Sequence, residues 1–176
     1  MDVSIIIPYN KDRGYLKQAI ASASSQDFWG EYEVITECSD ANVSVNINNA
    51  VKRCTGRYIK LLGEDDLLTT DCLAQLHTGA PLVCANALNV GEMGHCMVSR
   101  SGPPNRLRDL IRKNTIHGGT VLYRRDLLEK YPFDESLVTG EEYDLHLRLI
   151  SDGYRFDYVD EVVYMYRIHL EQKSQQ

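Results

Sequence analysis

The sequence predicts an α/β protein built on a mixed, mostly parallel sheet with flanking helices, and three observations predict it. The run Val3-Ser4-Ile5-Ile6-Ile7-Pro8 is β-branched and nearly all apolar, as a strand covered on both faces must be. Between Gly14 and Ser24, Leu16, Ala19, Ile20 and Ala23 recur at helical spacing. Strand-like runs at 32–36 and 58–62 then bracket a second amphipathic stretch at 43–53, so strand and helix alternate through residues 3–62 as βαβ units require.

Each element has its own local reason. Pro8 ends the first strand, because it has no N–H to continue a ladder. In the second helix Val43, Ile47, Ala50 and Val51 share a face, and Gly56 lies just past its expected end. Thr70 and Asp71 can cap a short helix running to His77. Leu82–Ala87 reads as a strand. Three glycines and two prolines make 90–104 a loop, with a short strand near 96–98. Residues 105–113 predict a helix with Leu107, Leu110 and Ile111 inward, and Thr120–Tyr123 a strand. Residues 141–151 predict a helix opened by two acids and followed by Gly153. Two closing strands are expected at 154–158 and 162–168, and a frayed polar tail at 171–176.

At 176 residues the chain suits one domain, 1–176, with a real core. Hydrophobic residues at 43% and charged residues at 25% describe a globular protein rather than a disordered one. The net charge of −6 disfavours a phosphate-dominated grip on nucleic acid. No apolar run approaches the ~20 residues that span a bilayer. The N-terminus has no basic, long-apolar leader. Five cysteines, odd in number and without C-x-x-C spacing, argue against a disulfide framework or structural zinc and for a reducing compartment. The expected site of action is cytoplasmic, with peripheral attachment to a membrane left open.

Parallel sheets bind ligands at the carboxyl ends of their strands. The segments that follow the early strands are therefore the first candidates for chemistry. Glu64, Asp65 and Asp66 stand together after a buried strand, where their charges repel and a hard divalent cation would relieve them. An acidic turn capping the next helix is the competing reading. Gly140-Glu141-Glu142-Tyr143-Asp144 offers carboxylates either as helix-dipole partners or as a general base. Arg167 and His169 point to one face of a closing strand and suit a diphosphate and its metal, or are plain edge residues. Gly118 and Gly119 beside His117 allow a backbone to approach a ligand, or only turn the chain.

In this order, the segments resemble the family 2 inverting glycosyltransferases of the GT-A fold, over roughly residues 3–170. Val3 to Lys11 with Tyr15-Leu16 looks like that family's opening strand and nucleotide-binding turn. Thr55 to Asp66 looks like the strand leading into its D-x-D metal motif. His117 to Arg125 is similar to its acceptor-side segment. Gly140 to Leu145 with Leu147-Arg148-Leu149 resembles its E-D catalytic helix, and Tyr166 to His169 its closing motif.

The resemblance implies a soluble enzyme that moves a sugar, hexosyl or N-acetylhexosaminyl, from a nucleotide-diphosphate sugar to an acceptor hydroxyl in polysaccharide or glycoconjugate synthesis. A UDP-sugar is the expected donor, with dTDP and GDP open. Pro8, Tyr9, Asn10, Glu37, Lys60, Glu64, Asp65 and Arg167 would meet the nucleotide. Asp66, with Glu64 and His169, would hold Mn²⁺ or Mg²⁺. Glu142, with Glu141 beside it, would be the base, and His117 and Gly118 would face the acceptor.

The chain departs from the family where Gly63 and Glu64 replace aspartates, where Glu142 replaces the E-D aspartate, and where Thr36-Glu37-Cys38 lacks an Asp pair. These swaps motivate an alternative, a catalytically degenerate binding or assembly module. A sugar nucleotidyltransferase is disfavoured, because the turn after the first strand carries a single glycine, Gly14.

Overall fold

The computed structural model describes residues 1–91, 94–103 and 106–169. The sheet at its centre has the strand order β2-β1-β3-β7-β5-β8-β4, with β6 paired to β5. The strands are β1 Val3–Tyr9, β2 Tyr32–Cys38, β3 Tyr58–Leu61, β4 Leu67–Leu68, β5 Leu82–Gly91, β6 Cys96–Ser99, β7 Leu122–Arg124 and β8 Asp157–Ile168. β1 lies between β2 and β3 and runs parallel to both, and β5 and β8 also run parallel. β7 reverses direction between β3 and β5, which joins the two parallel groups into one mixed sheet.

Helices cover both faces: α1 Leu16–Ser24, α2 Val43–Val51, α3 Cys72–Leu76, α4 Leu107–Arg112, α5 Arg125–Lys130 and α6 Glu141–Ser151. Strand alternation sorts the core into two layers. Val3, Ile5 and Ile7 pack with Ala19 and Ala23 of α1 and Leu73 and Leu76 of α3. Ile6 packs on the other face with Ile47 and Ala50 of α2 and Leu145 and Leu149 of α6. β1 is thus buried on both sides, which is why its sequence shows no polar alternation apart from Ser4. The Ser4 hydroxyl donates to Glu33 at 2.6 Å.

Several expectations need correction. The two closing strands are one strand, β8, whose pairing with β5 shifts register around Asn86. The polar pair Asp160-Glu161 falls where the strand is irregular, with the Asn86 amide donating to Asp160 at 2.9 Å. β5 runs on to Gly91 because β8 and β6 both pair with it. The expected strand at 120–123 begins as a single 3-10 turn, Gly118–Thr120, and becomes strand only at Leu122. β4 and α5 were not expected at all. Ile111 is exposed rather than inward. Asn105 and the tail 171–176 lie outside the described residues.

A histidine in the core makes stability depend on pH. His146 of α6 is fully buried, with Nε2 2.8 Å from the Tyr123 hydroxyl, and burial lowers its pKa from 6.5 to about 3. The unfolded chain takes up this proton near pH 6.5, whereas the fold resists it. The neutral ring's stabilisation is therefore complete above pH 6.5 and is lost as the pH falls towards 3. Stability is expected to fall by about 1.4 kcal/mol per pH unit below 6.5 on this account. Denaturant titrations between pH 7 and 5 check this, and His146→Leu should flatten the slope.

Candidate active site

The carboxyl ends of β1 and β3 open into a cleft with two adjoining chambers. The larger, about 700 Å³, is walled by Leu61 and Leu62, by 99–102, by 113–119, and by Glu142, Tyr164 and Tyr166. The smaller, about 500 Å³, is walled by Pro8, Tyr9, Asn10, Arg13, Asn46 and Asp65, among others, and also by Glu141. Pro8, Val43, Gly63 and Glu64 line both. The combined space suits a drug-sized or larger ligand.

The acidic turn after β3 forms the boundary between the chambers. Each of its carboxylates has a different partner. Glu64 is paired with Arg13. Asp65 Oδ2 lies 3.0 Å from His169 Nε2. Asp66 is buried, and both of its oxygens accept hydrogen bonds: from the Tyr164 hydroxyl at 2.7 Å and from the Arg167 backbone N–H at 2.8 Å. Burial and then the neighbouring Asp65 charge push the Asp66 pKa up to about 7, and the same two causes raise Glu64. The turn therefore holds carboxylates out of water and close to one another, both of which disfavour their charged forms.

Asp65 and His169, hydrogen-bonded to each other, could hold a divalent metal at this turn. Two ligands at right angles, each about 2.1 Å from a metal ion, stand about 3.0 Å apart. That is the separation of Asp65 Oδ2 and His169 Nε2. A carboxylate with an imidazole also suits Mn²⁺ better than Mg²⁺, which prefers oxygen throughout. Among the described residues no three His, Cys, Asp or Glu side chains converge on a point. A cation here would draw further ligands from water or a bound diphosphate.

The glycines have steric reasons. A Cβ on Gly119 would lie 2.6 Å from the Tyr164 ring, the ring that anchors Asp66. A Cβ on Gly118 would lie 3.0 Å from the Glu142 side chain. A Cβ on Gly63 would lie 2.9 Å from Asp66 Oδ2. Three segments distant in sequence thus close on one another at positions that lack side chains.

The structure gathers most of the expected residues at this cleft. Pro8, Tyr9, Asn10, Glu64 and Asp65 line the smaller chamber, and His117 and Gly118 the larger. Glu141 and Glu142, adjacent in sequence, face different chambers. His117 packs on Tyr164 and Tyr166 at 5.7 and 5.3 Å between ring centroids. Burial lowers its pKa to about 4, so its ring is neutral at pH 7.

Three expected nucleotide contacts lie elsewhere. Lys60 is fully buried. Its ammonium donates to the Leu61 carbonyl at 2.9 Å and to that of Gly119, and sits 5.0 Å from the centre of the Tyr164 ring. Its place is structural, supporting the Gly-Gly turn from beneath. Glu37 lies in β2 beside Pro8, but its carboxylate engages Arg53 and lines neither chamber. Arg167 does share Tyr15 with His169, as strand alternation predicts. Its guanidinium lies over that ring and donates to the Asp65 carbonyl and to Gln18, both at 2.8 Å.

Sequence reasoning missed Arg13 and Tyr164. Arg13 was legible as a cation in the turn after β1. Tyr164 carried no signal, because its partners Gly63 and Asp66 lie about a hundred residues away.

This architecture is the GT-A glycosyltransferase fold, and comparison with known proteins agrees. No family model matches the sequence. A protein described as an uncharacterized glycosyltransferase of Methanocaldococcus jannaschii is 22% identical, over 94% of this chain and 70% of its own length. Among solved structures, S. aureus TarS 1-349 in complex with UDP-GlcNAc superposes with a TM-score of 0.74 at 16% identity, covering 98% of this chain. The same protein in complex with UDP gives 0.69 at 17% identity over 96%. This chain spans 60% and 61% of the length of those two structures. These likenesses bear out the expectation of a GT-A fold drawn from the motifs. Among the described residues no helix is long and apolar enough to cross a membrane.

Proposed function

We propose that the chain transfers a sugar from a UDP-sugar to an acceptor hydroxyl by a single inverting displacement that depends on a divalent metal. The observation that carries this is the division of the cleft. Asp65 lines only the smaller chamber and Glu142 only the larger. Single displacement needs such an arrangement, with the leaving diphosphate on one side of the anomeric carbon and the base on the other. The UDP and UDP-GlcNAc complexes of TarS support uridine as the nucleotide.

In this reading Pro8, Tyr9 and Asn10 seat the nucleotide, and Arg13 adds a positive charge at the chamber wall. Asp65 and His169 would hold Mn²⁺, which when bound supplies Lewis-acid neutralisation of the leaving diphosphate. Asp66 is a positioning residue, tying the acidic turn to β8 through Tyr164 and the Arg167 amide. Glu142 accepts the proton of the attacking hydroxyl. His117, neutral and in the wall of the larger chamber, can hydrogen-bond the acceptor. The degenerate-module alternative is not favoured, because the cleft keeps a carboxylate in each chamber.

Calorimetric titration of UDP, GDP and dTDP, each with and without Mn²⁺, tests the reading. Metal-dependent binding of UDP above the other two is expected. Absence of binding by any nucleotide in either condition would overturn it.

A further inference from the structure

The far end of the larger chamber has the opposite charge to the rest of the protein. Residues 100–113 contain Arg100, Arg106, Arg108, Arg112 and Lys113 against the single acid Asp109, within a chain of net charge −6. Two of these cations, Arg100 and Lys113, line the chamber itself. They are brought together by the pairing of two backbone segments. The Gly102 amide donates to the Thr115 carbonyl at 2.8 Å, and the His117 amide to the Ser101 hydroxyl at 3.3 Å.

The acids around them do not cancel this charge. Asp109 is 3.7 Å from Arg108, on the outer side of α4. Asp160 pairs with Arg100, but both side chains are more than 60% exposed, and such pairs exchange readily with solvent and other anions. Arg106, Arg112 and Lys113 have no acidic partner among the described residues. Among the described residues, Glu64 and Glu142 are the carboxylates that line the larger chamber. Cations grouped at a cleft mouth, three of them without an acidic partner and Arg100 in an exposed, exchangeable pair, concentrate anionic ligands there.

We propose that the acceptor carries negative charge, as phosphate or carboxylate, and that Arg100 and Lys113 recognise it at the mouth of the larger chamber. The proposal rests on reading that chamber as the acceptor side. Arg100 offers a planar fork and Lys113 a compact ammonium, a pair that suits an anionic oxygen group repeated along a chain or borne on one acceptor unit. The charged group is held away from Glu142, so the acceptor hydroxyl is presented to the base while its anionic neighbour stays at the mouth.

The test measures binding of three matched polymers at low salt: neutral dextran, phosphorylated dextran and carboxymethyl dextran. UDP affinity is measured on the same samples. Wild type is expected to bind at least one anionic dextran more tightly than neutral dextran, and the preferred polymer identifies phosphate or carboxylate. The double variant Arg100→Gln/Lys113→Gln is expected to lose about tenfold of that affinity, the loss due to two exposed charge contacts, with UDP affinity unchanged. Lys52→Gln, on another face at the end of α2, should bind as wild type.

Equal affinity for all three dextrans would overturn the proposal, as would an equal loss in Lys52→Gln. Recruitment to phosphatidylglycerol vesicles without a grip on either anionic dextran would overturn it in favour of a membrane-docking face. A failure of UDP binding with anionic selectivity intact would instead sink the transferase reading.

Discussion

Glu142→Gln is expected to lower the rate of sugar transfer by about 10²–10⁴-fold, the usual contribution of a positioned general base. UDP affinity should stay within about twofold of wild type, because Glu142 lines only the larger chamber. Glutamine keeps the length and hydrogen-bonding shape of the side chain but accepts no proton at neutral pH. Gly118 leaves the room that Glu142 fills, its missing Cβ lying 3.0 Å from the Glu142 Cβ, Cγ and Cδ. Glu141→Gln is the control. Its carboxyl is buried and faces the smaller chamber, so its loss should weaken donor binding more than turnover. Single-turnover rates with a saturating donor separate the two. A nearly active Glu142→Gln beside an inactive Glu141→Gln would move the base to Glu141.

The first half of the fold was legible because its periodicities are local. β1 is apolar on both faces, and α1 and α2 each present one apolar stripe. The second half was harder because tertiary pairing decides its elements. β8 reads as two strands in sequence, yet β5 holds it as one through an irregular register at Asn86. α5 is a short helix with an internal Arg125–Glu129 ion pair, too brief to show a clear stripe.

The site divides in the same way. Residues that follow a strand end, such as Asn10 and Asp65, are placed by topology alone, and the sequence located them. Side chains placed by long-range partners were not legible. The family resemblance put Lys60 at the nucleotide, but the parity of β3 turns it into the core beneath Gly119. Asp66 is the residue that the family resemblance puts first for the metal, and the structure adds what the sequence could not show: each of its oxygens accepts a hydrogen bond from β8, a strand about a hundred residues later. Sequence identifies three acids in a row, and only the structure gives each a different partner.

That distinction leads to the second large effect. Asp65→Asn is expected to weaken Mn²⁺-dependent UDP binding by about 100-fold, to the level seen without metal. Asparagine keeps the shape of the side chain and the backbone carbonyl that accepts from Arg167 at 2.8 Å, so the turn should survive. It removes the charge and one lone-pair site facing His169. His169→Ala should act in the same direction, because Asp65 Oδ2 and His169 Nε2 form the 3.0 Å pair. Asp66→Asn should behave differently. One of its two accepting oxygens becomes an NH₂ group facing the Tyr164 hydroxyl or the Arg167 amide, so the cost falls on stability, at about 1–3 kcal/mol for a buried group left unsatisfied. Loss of the free Mn²⁺ electron paramagnetic resonance signal in the presence of UDP reads metal capture directly, and thermal melts read stability. If Asp65→Asn captured Mn²⁺ as well as wild type while Asp66→Asn did not, the metal would belong to Asp66, and the ring of His169 would serve only to hold Asp65 in place.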